Sequence, residues 1–598
     1  MSQELQLRSE IDEQYKWRLE DIFPDDSAWE GEFRRVQKEI PKLKKNQGHI
    51  HESAEILLAA LREAHTLEEA IGKLYSYAHM RNDEDKSIGK YQEQYDRMGS
   101  LIVEYNQTMS WFEPELLSMS EEEIGKMTES EPDLDLYRHY MDNLMRTKPY
   151  ILSEKEERIM ALSGEVRGSA ADIFSNWDNA DIEYPKIKDA EGKEIRLTEP
   201  LYNKFQESPD RELRKRSYHA LYVPYIGHRN MLSASYSAIV KSHIFNARAR
   251  GYKSTLQAAL DRNNVPEKVY HTLIDTARFN VKPLRRYVAL RKKLLNLKQV
   301  RDYDLRAPLF EKTQREYSWQ DACQMVIDGA ERLGEDYVET LRDAFNSRWI
   351  DVYENKGKRT GAYSSGTYGV HPYVLMNFNG TLNDIFTLTH EMGHALHTWY
   401  TIKNQPYVYG DYPIFLAEVA STTNEALLER HLIRNAASKE EKLGLLDSAL
   451  KKYNSTFYRQ AIFAEFELRS HEMAESGEAL TADKLDELFG RIYRDYYGDE
   501  FELIRENKAL WSRVPHFYYN YYVFQYSTSF VASQALVSRI LEEGDPARER
   551  YLGFLKSGRS KYPLDTLREA GVDMSSADPV KRTIQLMDDL LDQVEKLV

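Results

Sequence analysis

Residues 381–399 read TLNDIFTLTHEMGHALHTW, and the reading of the whole chain turns on this stretch. Thr381 followed by Asp384 is a capping-box pattern, which predicts a helix starting there. On that helix Ile385, Phe386, Met392, Gly393, Leu396 and Trp399 fall on the core side. Thr387, His390, His394 and His397 fall on the other side. Residues four apart on a helix share a face about 6 Å apart, so the imidazoles of His390 and His394 can reach one ion. Two His and a Glu at the spacing His390-Glu391-Met392-Gly393-His394 form a zinc-hydrolase pattern. Zinc polarises a scissile carbonyl and lowers the pKa of a water it holds to about 7. Glu391, set beside the metal by its place in the turn, is then the base that takes the proton. His397 shares a face with His394 and is read as a supporting or satisfied surface group rather than a ligand.

A catalytic zinc needs a third protein ligand and an open position. The next helical pattern, residues 414–431, offers Glu418 and Glu425, which lie 24 and 31 positions after His394. Seven residues apart, they share a face but stand about 10 Å apart along the axis, so one ion can hardly take both. Spacing alone leaves the choice open.

Outward from this stretch, most of the sequence reads as amphipathic helix. Ile88, Tyr91, Tyr95, Met98, Ile102 and Tyr105 alternate steps of three and four and form a core stripe. Ser153 and Glu156 make a second capping box. Residues 184–198 read instead as a β-hairpin, and Tyr373 to Phe378 as a short strand that could pair its backbone with an extended peptide if it lies at a sheet edge. The hairpin is a natural boundary between an N-terminal helical domain, residues 1–200, and the remainder, 201–598.

Composition narrows the function classes. The 598 residues carry a net charge of −16, from 81 basic and 97 acidic side chains, with no concentrated basic stripe. Nucleic acid is therefore excluded as the main partner. Mean hydropathy is −0.66, and no run of about 18 apolar residues exists to span a membrane. Cys323, the one cysteine, cannot form an internal disulfide and is read as a core residue. With no apolar signal-like stretch in residues 1–11, the expected compartment is the cytoplasm.

Residues 515–526, PHFYYNYYVFQY, are dense in tyrosine. Helical spacing puts Tyr519, Tyr522 and Tyr526 on one face. Taken alone such a face is aromatic packing; beside a zinc site its hydroxyls could donate to an oxyanion.

Several stretches taken together resemble the oligoendopeptidase F family of thimet-oligopeptidase-like zinc peptidases. They are Trp17-Arg18-Leu19-Glu20-Asp21-Ile22-Phe23, Tyr303-Asp304-Leu305, Trp349-Ile350-Asp351, Lys358-Arg359-Thr360-Gly361-Ala362-Tyr363, Pro372 to Phe378, and Thr387 to His394. The resemblance runs nearly end to end. It implies a mainly α-helical fold in which N-terminal helices cover a catalytic region, with an enclosed substrate cleft and a small β element near the active-site helix. It also implies one zinc ion per chain, held by His390, His394 and Glu418, the last matching the family's third ligand within Ala417-Glu418-Val419-Ala420-Ser421. Glu425 is then a supporting acid. By the same resemblance His516, Tyr519 and Tyr526 are the oxyanion donors, with Glu391 as base, and the substrates are short unfolded peptides cut internally.

Two rivals remain at this level. A dipeptidyl carboxypeptidase would share the helix motif but must anchor a free C-terminal carboxylate with Arg or Lys. A non-catalytic peptide-binding protein with structural zinc would have no use for Glu391.

Overall fold

The computed structural model describes residues 5–310 and 315–598. The fold is mainly α, and among the described residues the named strands are five and short. They are β1 (Lys186–Lys188), β2 (Glu194–Arg196), β3 (Ile350–Asp351), β4 (Tyr363–Ser365) and β5 (Tyr373–Leu375). β1 and β2 form the expected hairpin, antiparallel with Ile187 opposite Ile195. Asp189 closes its turn by accepting the backbone N–H groups of Glu191 and Lys193, the usual local bond of an Asp in a turn. Among the described residues no helix is long and apolar enough to cross a membrane.

The chain gathers into two compact units, each assembled from three stretches. The first comprises Met1–Pro149, Arg315–Leu428 and Arg539–Gly571; the second comprises Tyr150–Gln314, Glu429–Ser538 and Val572–Val598.

In the first unit, α1 (Ala54–Glu84) starts where the Ser53 hydroxyl accepts the Ile56 N–H, and α2 (Gly89–Met109) packs along it. Their apolar faces join Trp17, Trp29 and Phe33 in one core that also takes in Tyr373 and Leu375 of β5. The stripe read on α2 is only partly core. Met98 and Tyr105 are buried and Ile102 packs against them, whereas Ile88 lies before the helix and is exposed. The three-stranded sheet runs β3-β5-β4, with Ile350 parallel to Val374 and Ser364 antiparallel to it. β5 is thus the central strand and both its sides are already paired. The free edge expected of residues 373–378 belongs instead to β4, because a two-residue strand from residues 350–351 has taken the other side.

Charges fasten β3 from below. Asp351 is buried, 2.7 Å from Lys358 Nζ and 2.6 Å from Arg8, which also reaches Glu84. Removing one partner from such a buried group leaves an uncompensated charge and costs about 3–5 kcal/mol.

In the second unit, the helix Arg459–Glu475 is buried around most of its circumference and carries Glu467, Ser470 and His471 inward with its apolar residues.

Candidate metal centre

The motif helix, α3 (Leu382–Asn404), begins as its sequence requires. The Thr381 hydroxyl accepts the Asp384 N–H at 3.2 Å, and the Asp384 carboxylate accepts the Thr381 N–H at 3.0 Å. Just before it, Gly380 has φ +76°, and a Cβ there would stand 2.9 Å from the Tyr317 carbonyl oxygen. The backbone therefore enters the helix through a turn that favours glycine.

His390 and His394 project from one face, their Nε2 atoms 3.2 Å apart. The third group comes from α4 (Ile414–Asn435). Glu418 Oε2 lies 3.4 Å from His390 Nε2 and 3.6 Å from His394 Nε2. These three residues form the group of possible metal donors found among the described residues. Glu425 is also close, but on the other side of the ring: its Oε1 is 2.7 Å from His390 Nδ1. The two acids left open by spacing thus divide, Glu418 facing the Nε2 pair and Glu425 gripping the far nitrogen of one imidazole.

Gly393 sets this geometry. A Cβ at that position would meet Ser421 Cα at 2.6 Å and the Ala420 carbonyl oxygen at 3.0 Å. The backbones of α3 and α4 touch there, which brings Glu418 within reach of both imidazoles. The Ser421 hydroxyl then donates to Glu418 Oε2 at 3.0 Å.

The donor chemistry fits zinc, which takes imidazole nitrogen and carboxylate oxygen. Bonds of about 2.0–2.1 Å at tetrahedral angles put donor atoms about 3.3–3.4 Å apart. The observed 3.2, 3.4 and 3.6 Å bracket that value.

Local electrostatics follow from burial and these neighbours. Burial would lower the pKa of His390, but the Glu425 hydrogen bond and the charges of Glu425, Glu418 and Glu391 raise it overall. Burial would raise that of Glu418, but His394 and His390 hold it below the ordinary carboxylate range. Glu391 is buried, and desolvation raises its pKa against the pull of both histidines, with the Ser364 N–H of β4 directed at its carboxylate.

The other histidines differ in character. His397 is fully buried, stacked on Tyr412 at 3.6 Å and close to Phe554, with neither ring nitrogen hydrogen-bonded among the described residues. The surface reading of His397 is corrected: Tyr412 and Phe554 cover that face of α3 past His394. Burial holds its pKa well below the usual value. His371 stacks on Trp349 and lies 3.0 Å from Asp21. Cys323 is half-buried rather than core, and desolvation pushes its thiol up to about 12.

The tyrosine segment lies in the second unit and is not a helix throughout. A short 3-10 turn, Pro515–Tyr518, is followed by Asn520 and Tyr521 at φ +49° and +57°, and helix Phe524–Glu543 begins only afterwards. Positive φ is costly for a bulky residue. Tyr521 is held there by its N–H bond to buried Glu467 at 2.6 Å and by its ring packing on Tyr270 and His471. The grouping expected of a helix face nevertheless forms. The rings of Tyr519, Tyr522 and Tyr526 gather around His516, and Tyr526 Oη is 3.3 Å from His516 Nε2. Tyr518 and Tyr521 turn into the core, Tyr518 stacking on Phe174. Tyr519 is 57% exposed.

Comparison with known proteins places this architecture. The Peptidase family M3 model matches residues 204–586, and the Oligopeptidase F model matches residues 115–184. The chain therefore belongs to peptidase family M3, among its oligoendopeptidase F proteins. Oligopeptidase PepF of Bacillus subtilis is 44% identical over 591 residues, covering 99% of this chain and 88% of that protein. An oligoendopeptidase F homolog of Lactococcus lactis subsp. lactis is 40% identical, covering 99% and 98%. The crystal structure of oligoendopeptidase-F from Enterococcus faecium matches with a TM-score of 0.75 at 32% identity, covering 96% and 99%.

Proposed function

We propose that this peptidase is a zinc-dependent oligoendopeptidase that hydrolyses internal bonds of short unfolded peptides. The observation that carries the reading is the triangle of His390 Nε2, His394 Nε2 and Glu418 Oε2, with the Glu391 carboxylate next to it in sequence and buried. His390, His394 and Glu418 would hold the ion. When bound, zinc supplies Lewis-acid polarisation of the scissile carbonyl and acidifies a water. With the ion bound, Glu391 would take a water proton and return it to the leaving amine, acting from a buried carboxylate beside both imidazoles. Glu425 accepts the Nδ1–H of His390, which fixes the tautomer that leaves Nε2 free as a ligand.

His516, Tyr519 and Tyr526 are assigned as oxyanion donors, a role supported by their grouping and by the family resemblance. An extended peptide would pair with the edge of β4, whose Ser364 already faces Glu391. Restriction to short peptides rests on an enclosed cleft of the kind the family implies. We keep the boundary near residue 200, on the support that the two family matches leave residues 185–203 between them. A cytoplasmic location belongs to the same reading, supported by the lone cysteine.

The test combines metal analysis with turnover of an internally quenched peptide blocked at both ends. The native protein should hold one zinc per chain and cut inside the peptide. Glu391→Gln should keep its zinc and lose about two to four orders of magnitude in turnover. Near-native turnover in that variant, or failure to cut the blocked peptide while an unblocked version loses dipeptides from its C-terminus, would overturn the reading.

A further inference from the structure

The second unit contains a pocket of about 600 Å³ whose wall includes His516, Tyr519 and Tyr522. Among the described residues its remaining lining has two arginines and no carboxylate, which is unusual for a chain of net charge −16. Arg262, just after the helix Thr255–Asp261, is exposed and has no hydrogen-bond or ion-pair partner among the described residues. Among the described residues Arg167, on the helix Gly164–Asn176, donates only to neutral oxygens, the Ser163 hydroxyl at 2.9 Å and the Met160 carbonyl at 3.1 Å. Elsewhere on this surface arginines are commonly closed by acids, as Arg286 is by Asp588, Asp592 and Glu595.

We propose that Arg262 and Arg167 form a carboxylate subsite that takes the C-terminal carboxylate or an acidic side chain of the peptide substrate. The proposal rests on the peptidase reading above and deepens it by naming a substrate feature. A guanidinium presents a planar fork of donors matched to a carboxylate. The volume lies within the range of about 300–1,000 Å³ usual for ligand pockets and is far more than a single inorganic anion needs. Two tyrosine rings and two histidines complete a wall suited to the body of a peptide residue. The imidazoles supply no competing charge: burial holds His516 below its usual pKa, and burial with the neighbouring His471 brings His243 down to about 3. The positive charge in the pocket therefore belongs to the arginines.

Binding is measured by fluorescence anisotropy on the full-length protein carrying Glu391→Gln, so that the labelled peptide is not consumed. Three versions of one peptide are used: a free acid with an internal Glu, its C-terminal amide, and the free acid with that Glu replaced by Gln. Neutralising the carboxylate that occupies the subsite should weaken binding about tenfold, as expected for one charge-assisted contact. Arg262→Gln should cost about as much, and the two losses together should not exceed either alone. Arg262→Lys should recover part of the loss, since it restores charge without the fork. A loss with the amide identifies the α-carboxylate; a loss with the Gln peptide identifies the side chain. Equal binding of all three peptides, or fully additive losses, overturns the subsite. Failure of the peptidase reading looks different: the unaltered protein would then cut none of the peptides, whatever their end group.

Discussion

Replacing Gly393 by alanine adds one methyl group to the motif helix, and the structure gives its cost. The new Cβ would stand 2.6 Å from Ser421 Cα, with the Ala420 carbonyl oxygen at 3.0 Å and the Ser421 nitrogen at 3.1 Å. All three are backbone atoms, so no flexible side chain can swing away. Ordinary contact begins at 3.4 Å, so α4 must retreat from α3 by about 0.8 Å. Glu418 lies one turn before Ser421 on α4 and moves with it. Metal–ligand distances tolerate only about ±0.2 Å. Overpacking should also destabilise the fold by about 1–3 kcal/mol. We expect Gly393→Ala to stay folded, to lose zinc on dialysis against a mild chelator, and to fall at least about 100-fold in kcat/KM, the usual penalty for a misplacement near 1 Å. Zinc content is read by mass spectrometry, activity on a quenched peptide, and folding by circular dichroism. Gly444→Ala is the control, since a Cβ there meets nothing within 4 Å. If Gly393→Ala binds zinc and turns over like the native protein, helix contact does not set the ligand distance.

Three further outcomes are expected. Glu418→Ala should abolish zinc binding, whereas Glu425→Ala should retain the ion with affinity lowered about 10- to 100-fold, as for loss of a group orienting a ligand; an empty Glu425→Ala beside a loaded Glu418→Ala would reverse the assignment. Tyr519→Phe or Tyr526→Phe should reduce kcat about 100- to 1,000-fold with little change in KM; steady-state kinetics with Tyr518→Phe and Tyr521→Phe as buried controls tests this, and a large kcat loss confined to the controls would refute it. Glu467 is fully buried and desolvation raises its pKa to about 8 from an unfolded value near 4.5. The folded state therefore holds a proton that the unfolded chain has released between those values, and stability should fall as pH rises from about 4.5 to about 8, then level off. Urea unfolding should show Glu467→Gln losing less stability than the native protein between pH 6 and 8.5; identical slopes would show that Glu467 is ionised in the fold.

Much of the site was legible because it is local. Helix pitch alone brings His390 and His394 onto one face, and the Thr381–Asp384 cap needs only four residues to form. The same holds for the hairpin around Asp189. What lies across from a helix face is a different kind of information. Glu418 and Glu425 are equivalent by periodicity, and only the close approach of α4 at Gly393 makes one face the Nε2 pair and the other face Nδ1. His397 shares the stripe of His390, yet two turns further along α3 that stripe has passed under Tyr412 and Phe554. The strand at residues 373–375 was readable as a strand, but its central place was not, because sheet order depends on which distant segments pair with it. In the tyrosine segment, side-chain grouping survived while the predicted helix did not: buried Glu467 captures the Tyr521 N–H and holds the backbone in the left-handed region. Periodicity, caps and turns are written within a few residues, so the sequence by itself determined them; partner, burial and strand order are set by residues tens to hundreds of positions away, and only the tertiary structure could decide them.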